Sequence, residues 1–175
     1  MKKIFTPNFL LVTGMIAVVA ATRFFTPLPN FTPIAAIALF GGAYFSRKSV
    51  AFLVPLMALA ITDLIIGGYA VIPMLAVYSC FVFAGVIGLW IGRKVSFLRV
   101  IGGALTSSVV FFIVTNFATW ASGSFGLYPM TVGGLMQCYG MGLPFFRNEI
   151  LGTLVYSGVL FGAFELAKRR FPVVA

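Results

Sequence analysis

Four side chains stand out in this 175-residue sequence because so few others of their kind accompany them: Cys80, Asp63, Arg147 and Glu149. A cysteine thiolate is a ligand for soft or borderline metals, although a buried free cysteine is more often a small inert hydrophobe. Asp63 reads either as a ligand contact or partner for a nearby cation, or as an interfacial residue capping a helix end. Arg147 is suited to holding a phosphate or amide, or to pairing with Asp63 or Glu149. Glu149 reads as one half of an internal ion pair or as a ligand contact, and Glu149, Thr153 and Tyr156 share one helix face by spacing. A second polar set, Ser108, Thr115 and Thr119 with Asn116 and Trp120 alongside, suits either interhelical bonding or a ligand.

The residues that are missing narrow the chemistry. There is no histidine, which excludes His-based triads, His proton relays and His-ligated metal. Three Asp+Glu leave little for general acid–base work. Two cysteines, Cys80 and Cys138, cannot build a disulfide framework or an all-cysteine zinc site. No Walker motif is present, so the chain is not expected to use ATP itself.

The elements that must position these groups are apolar. Hydrophobic residues make up 61% of the chain and charged residues 9%, against about 25% charged in a soluble domain. A membrane helix needs roughly 20 mostly apolar residues. Six segments are candidates, the second being short: 4–21, 33–45, 50–66, 72–92, 98–122 and 144–167. The expected fold is therefore an all-α integral membrane domain of six transmembrane helices occupying residues 1–175. Cys80 falls about eight residues into the fourth segment, roughly 12 Å along its axis.

Six spans also sort the charge. The net charge of +9 is not read as a nucleic-acid surface, because the apolar fraction argues against one. Ten of the twelve cations fall on one side: Lys2 and Lys3, Arg47 and Lys48, Arg93, Lys94 and Arg99, and the run 168–170. Only Arg23 and Arg147 fall on the other. The positive-inside rule then places both termini in the cytoplasm. The first segment also resembles a signal peptide, with Val19-Ala20-Ala21 at its end, but a retained helix is expected. The outer connections, 24–33 with Pro27, Pro29 and Pro33, and 123–144 with six glycines, are expected to be loops capping an outward pocket.

The run Pro29-Asn30-Phe31-Thr32-Pro33-Ile34-Ala35-Ala36, the segments Phe40-Gly41-Gly42-Ala43-Tyr44-Phe45 and Thr62-Asp63-Leu64, and the stretch Gly142-Leu143-Pro144-Phe145-Phe146-Arg147-Asn148 together resemble the substrate-binding S-components of energy-coupling-factor (ECF) transporters. With a cysteine at Cys80, the chain most closely resembles the BtuM-type vitamin B12 proteins of Gram-negative inner membranes. That resemblance implies cobalamin as the bound substrate, with Cys80 coordinating cobalt, the dimethylbenzimidazole base displaced, and loss of cyanide from cyanocobalamin promoted. Cys80 is the residue that carries over from the family. Asp63, Arg147, Asn116, Tyr139 and Phe31 are expected contacts by position. Whether the chain is an enzyme stays open, decyanation being the one chemistry allowed. Implied partners are a corrinoid, membrane lipid and an ECF energising module, for which Ala17 and Ala21 are a loose match to the docking motif; nucleic acid is not expected.

Two other readings stand beside this one. The chain could be an S-component-like protein for another small vitamin or nucleobase-like molecule, with Cys80 merely packing. It could also be a membrane assembly subunit with no ligand, its polar stripe serving helix packing.

Overall fold

The computed structural model describes residues 6–25, 28–67, 70–123 and 126–171, all helices and connections with no strand among them. Lys2, Lys3 and Pro27 lie outside the described residues. The helices are α1 (Pro7–Ala21), followed by a 3-10 turn at Thr22–Phe24, then α2 (Ile34–Tyr44), α3 (Lys48–Ile66), α4 (Val71–Gly92), α5 (Phe97–Ser122) and α6 (Val132–Arg170).

Local chemistry sets several of the ends. Thr6 caps α1 by accepting from the Phe9 N–H at 3.1 Å, with proline at the first helical position, where no amide donor is needed. Ser96 caps α5 and Thr131 caps α6 in the same way. Gly123, at φ +56°, closes α5 in the left-handed conformation that favours glycine. The last turn of α6 carries Lys168, Arg169 and Arg170, where cations complement the helix dipole.

Among the described residues, five helical stretches are long and apolar enough to cross a membrane: α1 with its 3-10 turn, α3, α4, α5 and α6. Large side chains such as Leu53, Leu64, Leu75, Phe97 and Val159 remain exposed around the bundle. Water penalises apolar surface on this scale, whereas lipid accepts it. The chain is a multi-pass membrane protein.

The sixth helix is of another kind. With 11 residues, α2 is about 16 Å long, near half the roughly 30 Å hydrocarbon thickness. Yet it is the most enclosed element, with Ala35 through Gly42 all buried, and it touches each of the other five helices. Phe40 sits edge-on to Phe161 and Phe164 at 5.5 and 5.6 Å. At its end, the Tyr44 hydroxyl donates to Glu165 at 2.6 Å, beside the basic terminus of α6.

The backbones of α2 and α4 meet directly. A Cβ on Gly88 would collide with the Leu39 carbonyl oxygen, one on Gly92 with the Ala43 carbonyl, and one on Gly42 with the Gly85 carbonyl. Small residues at a membrane helix interface permit this approach.

One expectation is overturned. Within 123–144, residues 126–131 are a connection, but from Val132 the stretch is the first part of α6, a helix of 39 residues. Its glycines read as turn signals, but Gly134, Cys138 and Gly142 recur at i, i+4, i+8. They form a small-residue stripe that lets α6 close on its neighbours. A Cβ at Gly134 would strike the Pro129 carbonyl, and one at Gly142 would press on Phe112 and Asn116. Packing thus outweighs the low helix propensity of glycine. Cys138 and Tyr139 are helical residues, not loop residues.

Gly88→Ala should destabilise the bundle by about 1–3 kcal/mol, the usual cost of overpacking, and lower the thermal unfolding midpoint in detergent. Gly102→Ala, where nothing lies within 4 Å of the added carbon, should leave it unchanged or raise it. Equal effects would show that α2 and α4 do not meet this closely.

Candidate functional site

Above the first turn of α2, the bundle holds a cavity of about 390 Å³ at the end where Arg23 lies. Ile34, the first residue of α2, forms part of its floor. Asn30 and Thr32 wall it from the preceding connection, Pro73 and Val77 from α4, and Phe111, Phe112, Thr115, Asn116 and Thr119 from α5. From α6 come Gly142, Phe145, Phe146 and Glu149. The connection is held in place from two sides. Asn30 takes a positive φ of +60°, which asparagine tolerates better than most residues. The Asn148 amide donates to the Pro29 carbonyl at 3.0 Å, and Gly152 gives the backbone of Thr32 room against α6.

Two charged groups line this cavity and they are handled differently. Arg23 is bound: it donates to Asp63 Oδ1 at 2.8 Å and to the Thr62 hydroxyl. With side-chain exposures of 12% and 8%, the pair ties the end of α1 to the end of α3. Asp63 is thus the partner of a cation from the same end of the bundle, one of the roles anticipated for it, and it positions Arg23 rather than lining the cavity.

Glu149 is held by less. Its Oε1 accepts from the Thr153 hydroxyl at 2.9 Å, while its Oε2 has no hydrogen-bond partner although the residue is 5% exposed. The ion pair expected for it does not form; the two ion pairs among the described residues are Arg23–Asp63 and Lys168–Glu165. The helix-face spacing of Glu149, Thr153 and Tyr156 does hold, and the Tyr156 oxygen lies 3.0 Å from the Thr22 hydroxyl.

Cys80 is buried at 6% exposure in α4. It lines a narrow recess of about 10 Å³ with Ala35, Phe81, Ser107 and Glu149. Thr32, Ile34, Phe111 and Glu149 border both this recess and the larger cavity, so Cys80 lies directly off the cavity floor. Both cysteines are free. Cys138 is elsewhere, its sulfur donating toward the Asn116 carbonyl at 3.4 Å.

The other expected site residues divide. Asn116 faces the cavity, with its amide nitrogen donating to the Phe112 carbonyl at 2.8 Å. Phe31 packs on Tyr156 at 5.7 Å between ring centres. Tyr139 donates to the Ile113 carbonyl at 2.9 Å and packs on Phe112. These two brace the walls without lining them. Arg147 is exposed on α6 and does not line the cavity. Ser107 and the wall position of Arg23 escaped the sequence reading. Ser107 carries no signal beyond its place beside Ser108, and Arg23 was read only as a topological marker.

Asp63→Asn should strip the Arg23 guanidinium of its counter-charge. Breaking a buried pair on one side costs about 3–5 kcal/mol, so the unfolding midpoint should fall clearly. Arg23→Gln combined with Asp63→Asn should lose less than the two single changes summed; full additivity would show that the pair does not couple.

Neither the curated proteins nor the solved structures contain a match to this chain. A family profile does match, over residues 3–174. By that match, which spans nearly the whole sequence, the chain belongs to the family described as a family of unknown function, DUF6580.

Proposed function

We propose that this protein is a small-molecule uptake protein of the bacterial inner membrane, and that its ligand is a corrinoid whose cobalt is held by the Cys80 thiolate. The observation that carries the reading is the place of Cys80: a free thiol directly off the floor of a cavity that lies at the end of the bundle opposite the basic terminus of α6. The resemblance of the sequence to BtuM-type S-components supports the same ligand. The charge distribution supports six spans, α2 being the short one, with both termini cytoplasmic and the cavity facing outward.

In this reading the walls supply what a corrin needs. Phe111, Phe112, Phe145 and Phe146 offer apolar surface to the macrocycle, and Asn30, Thr32, Asn116 and Arg23 offer hydrogen bonds to its peripheral amides. The Cys80 sulfur takes an axial position on cobalt, a soft donor where no histidine competes. With cyanocobalamin, a Co–S bond would form as the Co–CN bond breaks; the thiol proton and the cyanide, with its electron pair, would leave together as HCN, and the cobalt oxidation state would not change. A corrinoid is larger than 390 Å³, so its entry requires the 28–33 connection and the upper part of α6 to move apart. An ECF energising module is the partner this reading implies. The exposed Ala17 and Ala21 on α1 offer a small-residue face for it.

One observation favours a second reading. At 390 Å³ the cavity falls at the lower end of the roughly 300–1,000 Å³ of small-molecule sites. A smaller vitamin or nucleobase-like ligand would fit without opening, with Cys80 serving only to pack.

Purified protein mixed with hydroxocobalamin or cyanocobalamin should show a shifted visible spectrum, and Cys80→Ala should abolish the shift. An identical shift in Cys80→Ala would exclude thiolate coordination. Mass spectrometry of ligand retained through purification separates the two readings: a corrinoid supports the first, a smaller heterocycle the second.

A further inference from the structure

Glu149 is the charge that the bundle leaves unmatched. Of the two charged residues on the cavity wall, Arg23 is neutralised by Asp63. Glu149 has only the Thr153 hydroxyl on one oxygen and nothing on the other. It does not stand alone. The Ser107 hydroxyl is also buried without a partner, and Ser108 is buried next to it. Ser108 lies beside the carboxylate, and Ser107 borders the same recess. Glu149 Oε2 and the Ser107 hydroxyl are therefore buried without partners at the recess, with the Ser108 hydroxyl beside the carboxylate and free to turn toward it.

An ionised carboxylate accepts hydrogen bonds and donates none. Burying it unpaired is costly, which favours a positive charge arriving from the cavity. The donor set defines that charge. One carboxylate with hydroxyl oxygens is a hard-oxygen site carrying one negative charge. Among the described residues no group of three or more His, Cys, Asp or Glu forms a site for a more highly charged metal. The recess of about 10 Å³ has room for one water-sized sphere, the scale of a small bare ion. The cavity above it, walled by Phe111, Phe112 and Phe146, also suits an organic cation, whose charge gains from aromatic faces.

We propose that Glu149, with Ser107 and Ser108, forms a monovalent-cation site at the cavity floor. It is filled either by an inorganic ion such as Na⁺ or by the charged nitrogen of an organic ligand. The site does not depend on cobalt coordination by Cys80, and its test uses neither cobalamin nor a Cys80 variant, so the two proposals stand or fall separately.

The test follows the unfolding midpoint of the purified full chain in detergent at about pH 8 and again at about pH 9. NaCl or benzamidinium chloride replaces N-methyl-D-glucamine chloride, a strongly hydrated cation with no apolar face for the aromatic walls, at constant ionic strength. A saturable rise is expected with one of the two cations: Na⁺ assigns the site to an inorganic ion, benzamidinium to an organic one. Glu149→Gln, which keeps the shape and removes the charge, should lose the response. Ser107→Ala with Ser108→Ala keeps the charge and should raise the concentration for half effect about tenfold, which preserves the test if Glu149→Gln fails to fold. No rise with either cation, or a rise undiminished in the variants, overturns the proposal.

Discussion

The close approach of α2 to α4 is the constraint on which the other features rest. Glycines at 42, 88 and 92 let two backbones meet where any side chain would collide with a carbonyl oxygen. Lipid provides no hydrophobic drive for helices to associate, so contact at backbone range is a main source of cohesion. With α2 pinned there, its 11 residues fill the bundle only from the basic end to about its middle. The five longer stretches continue past its first turn. The space they enclose above Ile34 is the cavity, and the side chains bordering that space become the candidate site. Cys80, one turn before Ala84 on the buried face of α4, reaches the recess because the same seam orients its helix.

Within that frame, the few buried charges are treated unequally. Arg23 and Asp63 neutralise each other through Oδ1 and link two helix ends, Asp63 Oδ2 having no hydrogen-bond partner of its own, so their charge is spent on architecture. Glu165 lies at the basic end with Tyr44 and Lys168, where the partners are again internal. Glu149 alone among the three acids combines burial, a cavity wall and an oxygen without a partner. A carboxylate in that position has chemical consequences that the other two do not have, because whatever fills the cavity to its floor meets it.

Much of the fold was legible because membrane helices announce themselves by composition. Four of the six expected segments match long helices closely, the sixth covers only the later part of α6, and the short second segment is the short helix. The difference lies in 132–144, where glycine reads as a turn former. In lipid the same residue is an interface former, and only its recurrence at Gly134 and Gly142 with Cys138 between them distinguishes the two uses. The candidate site was less legible. Asn116 and Cys80 were placed at the cavity or its recess, whereas Phe31 and Tyr139 brace its walls and Arg147 faces outward. A residue near the right end of the right helix still has most of a turn's freedom in where it points.

The amino-acid sequence by itself determined the solvent this protein lives in and most of its helices. Those properties follow from composition and from hydrophobic runs, which are local. Only the tertiary structure decided that Arg23 belongs to Asp63, that Glu149 has no counter-charge, and that Cys80 lies off a cavity. Each depends on how helices distant in the chain rotate and approach one another. That is set by where small residues on one helix meet backbone on another, a relation that no single stretch of sequence contains.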